Sequence, residues 1–235
     1  MSKSIVVLAV LAAAGWSTTL FMDCFDDGNA DGWTECCDEP DSALYYVENG
    51  WYHTQVDVQT SGGVYAQNGD DTTGTPHVMS CCDYTLYCKS KAWSPTSHMG
   101  FGVRTPEYPI DGDCYALWLR YSQNDVVIFR HDGPDLEYVE LDSEPFPLSY
   151  GEEYWIRFEI AGDQLYGKVW QGSLGDEPSA DLLEATDGMY TDAGSILVGC
   201  QMWGGGDRHA AFDSVMVLTP EAFDSQTWGW IKSAF

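Results

Sequence analysis

The chain has 235 residues and carries 37 acidic against 10 basic side chains, which gives a formal net charge of −27 at pH 7. A surface of that charge repels nucleic acid and anionic lipid, and it therefore excludes both as binding partners. It is compatible with cation binding and with a salty habitat, although a merely solvated acidic surface accounts for most of these carboxylates.

Residues 1–14 are predicted to be a secretory signal peptide. Lys3 supplies a positive charge, residues 5–14 form an unbroken apolar run, and Ala12 and Ala14 provide a small-residue cleavage pattern. The run is shorter than the roughly 20 residues that span a bilayer as a helix, although an uncleaved membrane anchor is the alternative. No later segment is apolar enough to span a membrane. We therefore expect a secreted protein that acts extracellularly or at the cell surface.

Helical periodicity is nearly absent after this segment, and short alternating runs recur between turn residues instead. The clearest predicted strands are residues 84–92, 100–105, 114–122, 125–131, 154–161, 164–171, 195–203 and 209–218. Many short strands at this spacing predict an all-β fold, a two-sheet antiparallel β-sandwich or jelly roll over residues 20–220.

Alternation also assigns side chains to faces, because neighbouring residues of a strand point to opposite sides. Trp118 and Arg120 alternate with the apolar residues of their strand, and Arg104 and Arg157 likewise fall at non-core positions. The scarce bases are therefore predicted to lie on the outer faces of the sheets, several of them beside a tryptophan.

Eight cysteines lie beyond the signal segment, and an even number in an exported chain predicts disulfides. They are Cys24, Cys36, Cys37, Cys81, Cys82, Cys88, Cys114 and Cys200. Zinc is the alternative, but no Cys-x-x-Cys or His-x-x-x-His spacing occurs. Adjacent cysteines rarely bond each other, because the bridge strains the peptide between them. We expect Cys36 and Cys37 to pair with Cys81 and Cys82, in an order that the sequence leaves open.

Seven short segments carry a resemblance to a known group of domains: residues 25–33, 49–52, 83–86, 100–104, 145–148, 151–157 and 212–217. In this order and spacing they are similar to concanavalin A-like lectin/glucanase domains, including LamG-like and 3-keto-disaccharide hydrolase-like jelly rolls of secreted bacterial proteins. The resemblance covers nearly the whole chain after the signal segment. It implies a two-sheet jelly roll with one concave face, found among secreted glycan-processing proteins.

The resemblance also implies a structural calcium ion that ties the first strand to the last. The matching positions are Asp23 or Asp26, the backbone carbonyl of Gly50, and Asp213, while Cys24 stands where similar sequences often have a second acid. Ca²⁺ accepts mixed carboxylate and carbonyl oxygens at about 2.3–2.6 Å. The alternative is that the acids of this loop only build an Asx-type turn.

Non-catalytic carbohydrate binding is the predicted function, because sugars stack on aromatic rings while polar side chains bind their hydroxyls. The chain has 10 Trp and 14 Tyr residues. The predicted ligand-binding residues are Arg104, Trp118, Arg120 and Arg157 on a concave platform, with Trp93, His98 and Trp203 at its rim. The alternative is that these tryptophans cover the edges of the sandwich or subunit contacts. The expected partner is a glycan or an extracellular matrix or cell-surface polysaccharide.

Glycoside hydrolysis is a further alternative, and it needs two carboxylates about 5–5.5 Å or 6.5–9.5 Å apart. The candidates are Glu140, Asp142 and Glu144, which would share one face of a regular strand, as in the Glu-x-Asp-x-Glu pattern of similar hydrolases. Pro145 and Pro147 follow at once, and proline does not continue a central strand. Catalysis therefore ranks behind binding.

Residues 221–235 form an apolar tail that is predicted to contain a short helix, with Trp228, Ile231 and Phe235 on one face. The tail is expected to dock on its own domain, to mediate self-assembly or to act as a sorting signal. An extracellular structural or surface-assembly protein is therefore the second candidate function.

Overall fold

The computed structural model describes residues 19–37, 43–58, 62–70, 75–76, 79–93, 98–105, 113–132, 137–202 and 206–219. The predicted signal peptide, the predicted C-terminal helix and Trp203 lie outside these ranges. Within them the chain is built from strands, with one turn of 3-10 helix at Leu174–Asp176. None of the described segments is a helix long and apolar enough to cross a bilayer.

The strands, numbered in chain order, pair into two antiparallel sheets. Sheet A contains, in spatial order, β14 (Leu183–Thr186), β13 (Gln164–Trp170), β12 (Glu153–Ala161), β7 (Tyr84–Ala92), β16 (Gly206–Leu218), β4 (Trp51–Val58) and β3 (Ala43–Glu48), with β1 (Thr19–Asp23) also paired to β16. Sheet B contains β11 (Glu137–Pro145), β10 (Asp125–Asp132), β9 (Cys114–Arg120), β8 (His98–Thr105), β15 (Ser195–Met202), β5 (Gly62–Asp70) and β2 (Trp33–Cys37), with β6 (Thr75–Pro76) paired to β5. The predicted two-sheet antiparallel sandwich is confirmed, and each predicted strand is present.

The main core lies between the sheets and takes one face of each strand. In β9, Tyr115, Leu117 and Leu119 are fully buried in the same cluster as Ile156 and Phe158 of β12. Each such side chain contributes roughly 1.5–3 kcal/mol by leaving water. The face assignment that alternation predicted for these two strands is confirmed.

Both sheets also carry apolar clusters on their outer faces. On sheet A the cluster is Tyr87, Trp155, Trp170, Leu174, Met216 and Leu218. On sheet B it is Tyr65, Ala116, Trp118, Val127, Phe129 and Leu197. Because Leu174 belongs to the segment that follows β13, that segment packs on the outer face of sheet A.

Two irregularities in the ladders redirect side chains. Arg104 of β8 and Ser214 of β16 have φ angles of 53° and 54°, in the left-handed region that non-glycine residues seldom adopt. The register shifts beside both positions, where β8 pairs with β15 and where β16 pairs with β7. Such bulges re-aim the neighbouring side chains, and both of these lie at positions that the sequence singled out.

Candidate functional site

Arg104 does not lie on an outer face, and this corrects the prediction from alternation. Its Nε donates to the Cys82 carbonyl at 3.0 Å, its Nη1 to the Tyr190 carbonyl at 2.6 Å, and its Nη2 pairs with Asp83 at 3.1 Å. Its backbone N–H donates to the Tyr84 hydroxyl at 2.8 Å. Since the side chain is only 1% exposed, Arg104 ties loops together and is not presented to a ligand.

Arg157 belongs to sheet A and Trp118 to sheet B, so the two do not form one platform. The Arg157 guanidinium pairs with Glu159, with Asp181 at 3.1 Å and with Glu177 at 3.7 Å. Arg157 therefore stabilises the segment that covers sheet A, which corrects its predicted role in the platform.

Of the predicted rim residues, Trp93 adjoins sheet A and His98 belongs to sheet B. Trp93 directly follows β7 of sheet A and is 40% exposed, so it does not border Trp118. His98 lies opposite Arg120 in the β8–β9 ladder, and its Nε2 is 3.0 Å from the Ser122 hydroxyl. Burial, together with the charge of Arg120, lowers the pKa of His98 to about 4. The structure thus brings together Trp118, Arg120 and His98.

An aromatic floor lies on the outer face of sheet B. Trp118 of β9 pairs with Gly100 of β8, Gly100 with Gly199 of β15, and Gly199 with Tyr65 of β5. Because the two intervening positions have no side chains, the Trp118 and Tyr65 rings meet edge to face with centroids 6.2 Å apart. The result is a buried apolar layer that spans the two glycine positions, in which Trp118 is 3% and Tyr65 8% exposed.

Arg120 and its acidic partners form a polar cluster beside the aromatic floor. Its Nε and Nη2 donate to Asp125 at 2.8 and 2.6 Å, and its Nη1 donates to Glu140 at 3.0 Å. The guanidinium also lies 5.4 Å from the centre of the Phe129 ring. The Ser143 hydroxyl, 2.6 Å from Glu140, and Arg120 lower the pKa of Glu140 against the opposing effect of burial. Glu140 is therefore a preorganised, ionised hydrogen-bond acceptor at neutral pH.

Two buried ring nitrogens on this face have no hydrogen-bond partner among the described residues: Nε1 of Trp118 and Nε2 of His131. Trp118 is 3% exposed, and His131 packs against the Tyr138 ring with centroids 4.2 Å apart. Burial lowers the pKa of His131 to about 4, so its ring is neutral at pH 7. A buried polar group without a partner costs about 1–3 kcal/mol, which a suitably placed ligand atom would recover.

A β-bulge separates Glu140 from the other two candidate catalytic carboxylates, Asp142 and Glu144. Glu140 lies opposite Phe129 of the outer face, whereas Glu144 lies opposite Val126, which is a core residue. The register shifts between the two pairs, so the expected alternation is interrupted. Asp142 accepts a backbone N–H of β14 at 2.9 Å, across the edge of the sandwich. The prediction that these carboxylates share one strand face is wrong.

Six cysteines have described side chains, and none of the six forms a disulfide. They are Cys24, Cys81, Cys82, Cys88, Cys114 and Cys200. Burial raises the pKa of Cys88 well above its usual value and that of Cys114 to about 12, so both are thiols at neutral pH. The side chains of Cys36 and Cys37 lie outside the described residues. Their predicted partners Cys81 and Cys82 are free thiols, so the predicted pairing is not found.

The predicted calcium ligands come from three separate segments. Gly50, in the turn between β3 and β4, has a φ of 78°, and a Cβ there would lie 3.3 Å from an Asp26 carboxylate oxygen. Burial above all, and also the negative charge of Asp26, raises the pKa of Asp213, although Ser214 and Lys89 act in the opposite direction. Gly50 therefore lies beside Asp26, and Asp213 lies close enough to Asp26 to be affected by its charge.

Asp23 is occupied by other contacts. Its carboxylate accepts the Phe25 backbone N–H at 2.9 Å and the Trp33 indole N–H at 2.8 Å. Burial raises the pKa of Asp23 in spite of these two bonds. Of the two alternatives, Asp26 is thus better placed than Asp23 to bind an ion. Among the described residues no three His, Cys, Asp or Glu side chains form a group suited to a metal.

Four aromatic residues of the sheet B face were missing from the sequence prediction: Tyr65, Phe129, His131 and Tyr138. Phe129 and His131 lie on a predicted strand, where alternation with core residues was the available signal. Tyr65 and Tyr138 lie on strands that contain glycine or clustered acids, and the sequence carried no comparable signal there.

No protein-family model matches the sequence, and a search of curated proteins finds no match either. Solved structures do match. The carbohydrate-binding module CBM66 from Bacillus subtilis has a TM-score of 0.57 at 14% identity and covers 80% of this chain and 95% of its own. A β-1,3-1,4-glucanase (lichenase) derived from a mouse hindgut metagenome has a TM-score of 0.57 at 12% identity and covers 87% and 99%. The exoplasmic/lumenal domain of VIP36, in a Ca²⁺/Man3GlcNAc-bound form, has 0.54 at 10% and covers 86% and 88%. The chain shares the jelly-roll fold of these proteins, and the predicted resemblance to concanavalin A-like domains is confirmed for the fold.

Proposed function

We propose that this chain is an exported, non-catalytic carbohydrate-binding domain that holds a glycan on the outer face of sheet B. The observation that carries the proposal is the Arg120–Glu140 pair, in which the Glu140 side chain is 45% exposed, at the end of the buried aromatic floor of Trp118 and Tyr65. Sugars offer an apolar C–H face and ordered hydroxyls, and sites for such ligands combine apolar walls with a few fixed polar groups. The Trp118 indole N–H is buried and has no partner among the described residues, so it would supply a further donor to a ligand that displaces what covers it.

The outer face of sheet B suits non-catalytic glycan binding better than glycoside hydrolysis. A glycosidase needs one carboxyl that is protonated and a second across the scissile bond. Glu140 is instead held in its ionised form by Ser143 and Arg120. Glu144 lies opposite a core residue, so it does not accompany Glu140 on this face. The similar solved structures include a carbohydrate-binding module and a lichenase, and the contacts of Glu140 favour the former as the guide to function.

Replacement of Trp118 with Phe is expected to weaken glycan binding about 3- to 10-fold, because it removes one hydrogen bond but keeps an aromatic ring. Glu140→Gln is expected to weaken it by at least as much, because a charged acceptor becomes a neutral amide. The ligand is found by screening the full chain on a glycan array and on insoluble polysaccharides. Affinity for the best ligand is then measured by calorimetry.

Trp93→Phe is the matched control, because Trp93 lies on sheet A and its replacement should leave the affinity unchanged. Equal losses in Trp93→Phe and Trp118→Phe would contradict the assignment of the site to sheet B. Release of reducing sugar that Glu140→Gln abolishes would establish the hydrolase instead. Retention on no polysaccharide, together with concentration-dependent oligomers in sedimentation, would favour the structural or surface-assembly protein.

We further infer that Asp26, the Gly50 carbonyl and Asp213 hold a structural Ca²⁺ ion. Two observations support the fit: Asp213 is a mostly buried carboxylate near the negative charge of Asp26, and Gly50 lets the backbone of its turn approach Asp26 closely. Carboxylate and carbonyl oxygens are the donors that Ca²⁺ prefers. When bound, the ion would neutralise the two acids and join the first loop to the last strand.

Asp213→Asn is expected to remove the stabilisation by calcium without lowering the stability of the calcium-free protein. Because the folded protein raises the pKa of Asp213, the ionised group opposes folding above that pKa, and Asn should raise or preserve the melting temperature in EGTA. Calcium at a hundredfold excess over its dissociation constant stabilises by about 2.7 kcal/mol, or roughly 5–10 °C, in the wild type. Asp213→Asn should lose most of that gain. Calorimetric melting of the wild type and of Asp213→Asn, each in EGTA and in CaCl₂, measures these changes.

The control for calcium is Asp23→Asn. Asp23 bonds the Phe25 backbone and the Trp33 indole, so its replacement should change the melting temperature by the same amount with and without calcium. A wild-type melting temperature that calcium leaves unchanged would remove the ion from the proposal. The glycan site would be unaffected by that outcome.

A further inference from the structure

Two histidines on the outer face of sheet A lie in direct contact. Nδ1 of His53, on β4, is 2.9 Å from Nε2 of His209, on β16. The Tyr46 ring stacks on His53 at 4.6 Å and 2°, and the exposed Trp93 ring stacks on His209 at 4.6 Å and 16°. We name these four residues the histidine cluster. The stacked rings restrict both imidazoles and hold the facing nitrogens together.

The protonation state of the pair leaves one nitrogen as an acceptor. The contact between Nδ1 of His53 and Nε2 of His209 requires one of the two nitrogens to donate and the other to accept. The His53 ring also donates to the backbone of Glu48, and because Nδ1 faces His209, we assign that donor to Nε2. The lone pair of Nδ1 then points towards His209. A histidine that anchors its second N–H on a backbone carbonyl is typical of metal ligands.

The distance between the two nitrogens is short enough for both to bind one metal ion. Two nitrogens that each lie about 2.05 Å from one ion are about 2.9 Å apart at a 90° angle and about 3.3 Å apart at a tetrahedral angle. The observed 2.9 Å is the length of the hydrogen bond that joins the rings, and it lies within a few tenths of an ångström of both values. Imidazole nitrogen suits Cu²⁺, Ni²⁺ and Zn²⁺, and among these ions a given nitrogen site generally binds Cu²⁺ most tightly.

We infer that His53 and His209 form a binding site for Cu²⁺ or Ni²⁺. The Tyr46 phenol oxygen, 3.5 Å from Nε2 of His209, is the adjacent third donor, and water would complete the shell. On binding, His209 ligates through Nε2 and carries its single ring proton on Nδ1, so the pair loses no net proton. The ion takes the place of the hydrogen bond that now joins the rings.

The charges around the histidine cluster have opposing effects on cation binding. The Lys91 ammonium lies 5.0 Å from the centre of the Trp93 ring and opposes a bound cation, whereas the Glu48 carboxylate favours one. The net charge of −27 attracts cations to the whole surface. The described residues provide no third His, Cys, Asp or Glu at this position, so the site depends on the imidazole pair.

The test uses the untagged full chain, stripped with chelator and dialysed, with CuCl₂, NiCl₂ and ZnCl₂ titrated separately by calorimetry at pH 7.5. One equivalent of Cu²⁺ should bind, with Ni²⁺ weaker, following the general order of affinities. Zn²⁺ should be weaker than Cu²⁺ as well. Cu²⁺ should quench tryptophan fluorescence, since Trp93 stacks on a ligand, and its electron paramagnetic resonance spectrum should show axial symmetry with coupling to two nitrogens.

His53→Gln and His209→Gln should each weaken Cu²⁺ binding more than tenfold, whereas His98→Gln on sheet B should not change it. Trp93→Phe should reduce the quenching but preserve the calorimetric affinity. Lys91→Gln should raise the affinity about 2- to 5-fold, because it removes a nearby like charge.

Circular dichroism establishes that each variant is folded. His53 is buried and His209 is half-buried. If His53→Gln unfolds, the Cu²⁺ affinity of His209→Gln is the deciding measurement. Tight Cu²⁺ binding that survives in folded His209→Gln, or that His98→Gln also abolishes, would overturn the assignment, as would the absence of a one-equivalent Cu²⁺ isotherm. The cluster and the proposed glycan site lie on different sheets, so each can fail without the other.

Discussion

Replacement of Arg104 with Met is expected to lower the free energy of unfolding by about 2–4 kcal/mol, since each acceptor left without its donor costs about 1–3 kcal/mol. The methionine keeps most of the apolar volume but leaves the Cys82 and Tyr190 carbonyls without their donor. It also removes the ion pair with Asp83, whose carboxylate in turn accepts the Gly162 backbone N–H at 3.0 Å. Urea denaturation followed by tryptophan fluorescence measures the loss.

The matched control is Lys89→Met, which removes a base from a more exposed pair. Lys89 pairs with Glu153, and the two side chains are 24% and 44% exposed. Exposed pairs contribute only about 0–1 kcal/mol, because water screens the charges. Similar losses in the two variants would mean that the burial of Arg104 adds nothing to its contribution.

Replacement of Gly100 with Ala is expected to cost more than about 3 kcal/mol and to leave little soluble protein, because severe overpacking cannot relax when the obstacle is backbone. A Cβ at this position would lie 1.9 Å from the Leu117 carbonyl oxygen and 3.0 Å from the Trp118 Cα. Backbone atoms cannot rotate away as a side-chain end can, so β8 and β9 would have to separate. The change would therefore also displace Trp118 from the aromatic floor.

Gly188→Ala serves as the control for that substitution. A Cβ on Gly188 would meet only the Asp163 Cβ, at an ordinary contact distance of 3.7 Å. Its effect on stability should fall within about 1 kcal/mol, since a compatible Gly→Ala change acts mainly on the unfolded chain. Soluble yield and calorimetric melting of the two variants give the comparison. A stable, soluble Gly100→Ala protein would show that β8 and β9 tolerate a wider spacing.

Segments with regular alternation were predicted well. The strand over residues 84–92 has the predicted bounds, and the inward positions Tyr154, Ile156, Phe158 and Ile160 of β12 are all buried. Segments without that regularity were missed. Strand β5 contains Gly62, Gly63 and Gly69, which are typical of turns, and β11 ends in Pro145 after a run of acids. These two strands gain their stability from pairing with distant neighbours, β15 and β10 respectively.

Alternating polarity is a local property of the chain, so the amino-acid sequence alone was sufficient for the sandwich, its inward faces and the outward position of Trp118 and Arg120. The sequence contained no comparable signal for the left-handed conformation of Arg104 or for the bulge between Glu140 and Glu144, because bulges are fixed by how paired strands fit together. Three-dimensional pairing alone placed Tyr65 beside Trp118 and His53 beside His209, residues that lie 53 and 156 positions apart in the chain. The physical reason is that sheet partners are chosen by burial and hydrogen bonding across the whole domain, which no short stretch of residues encodes.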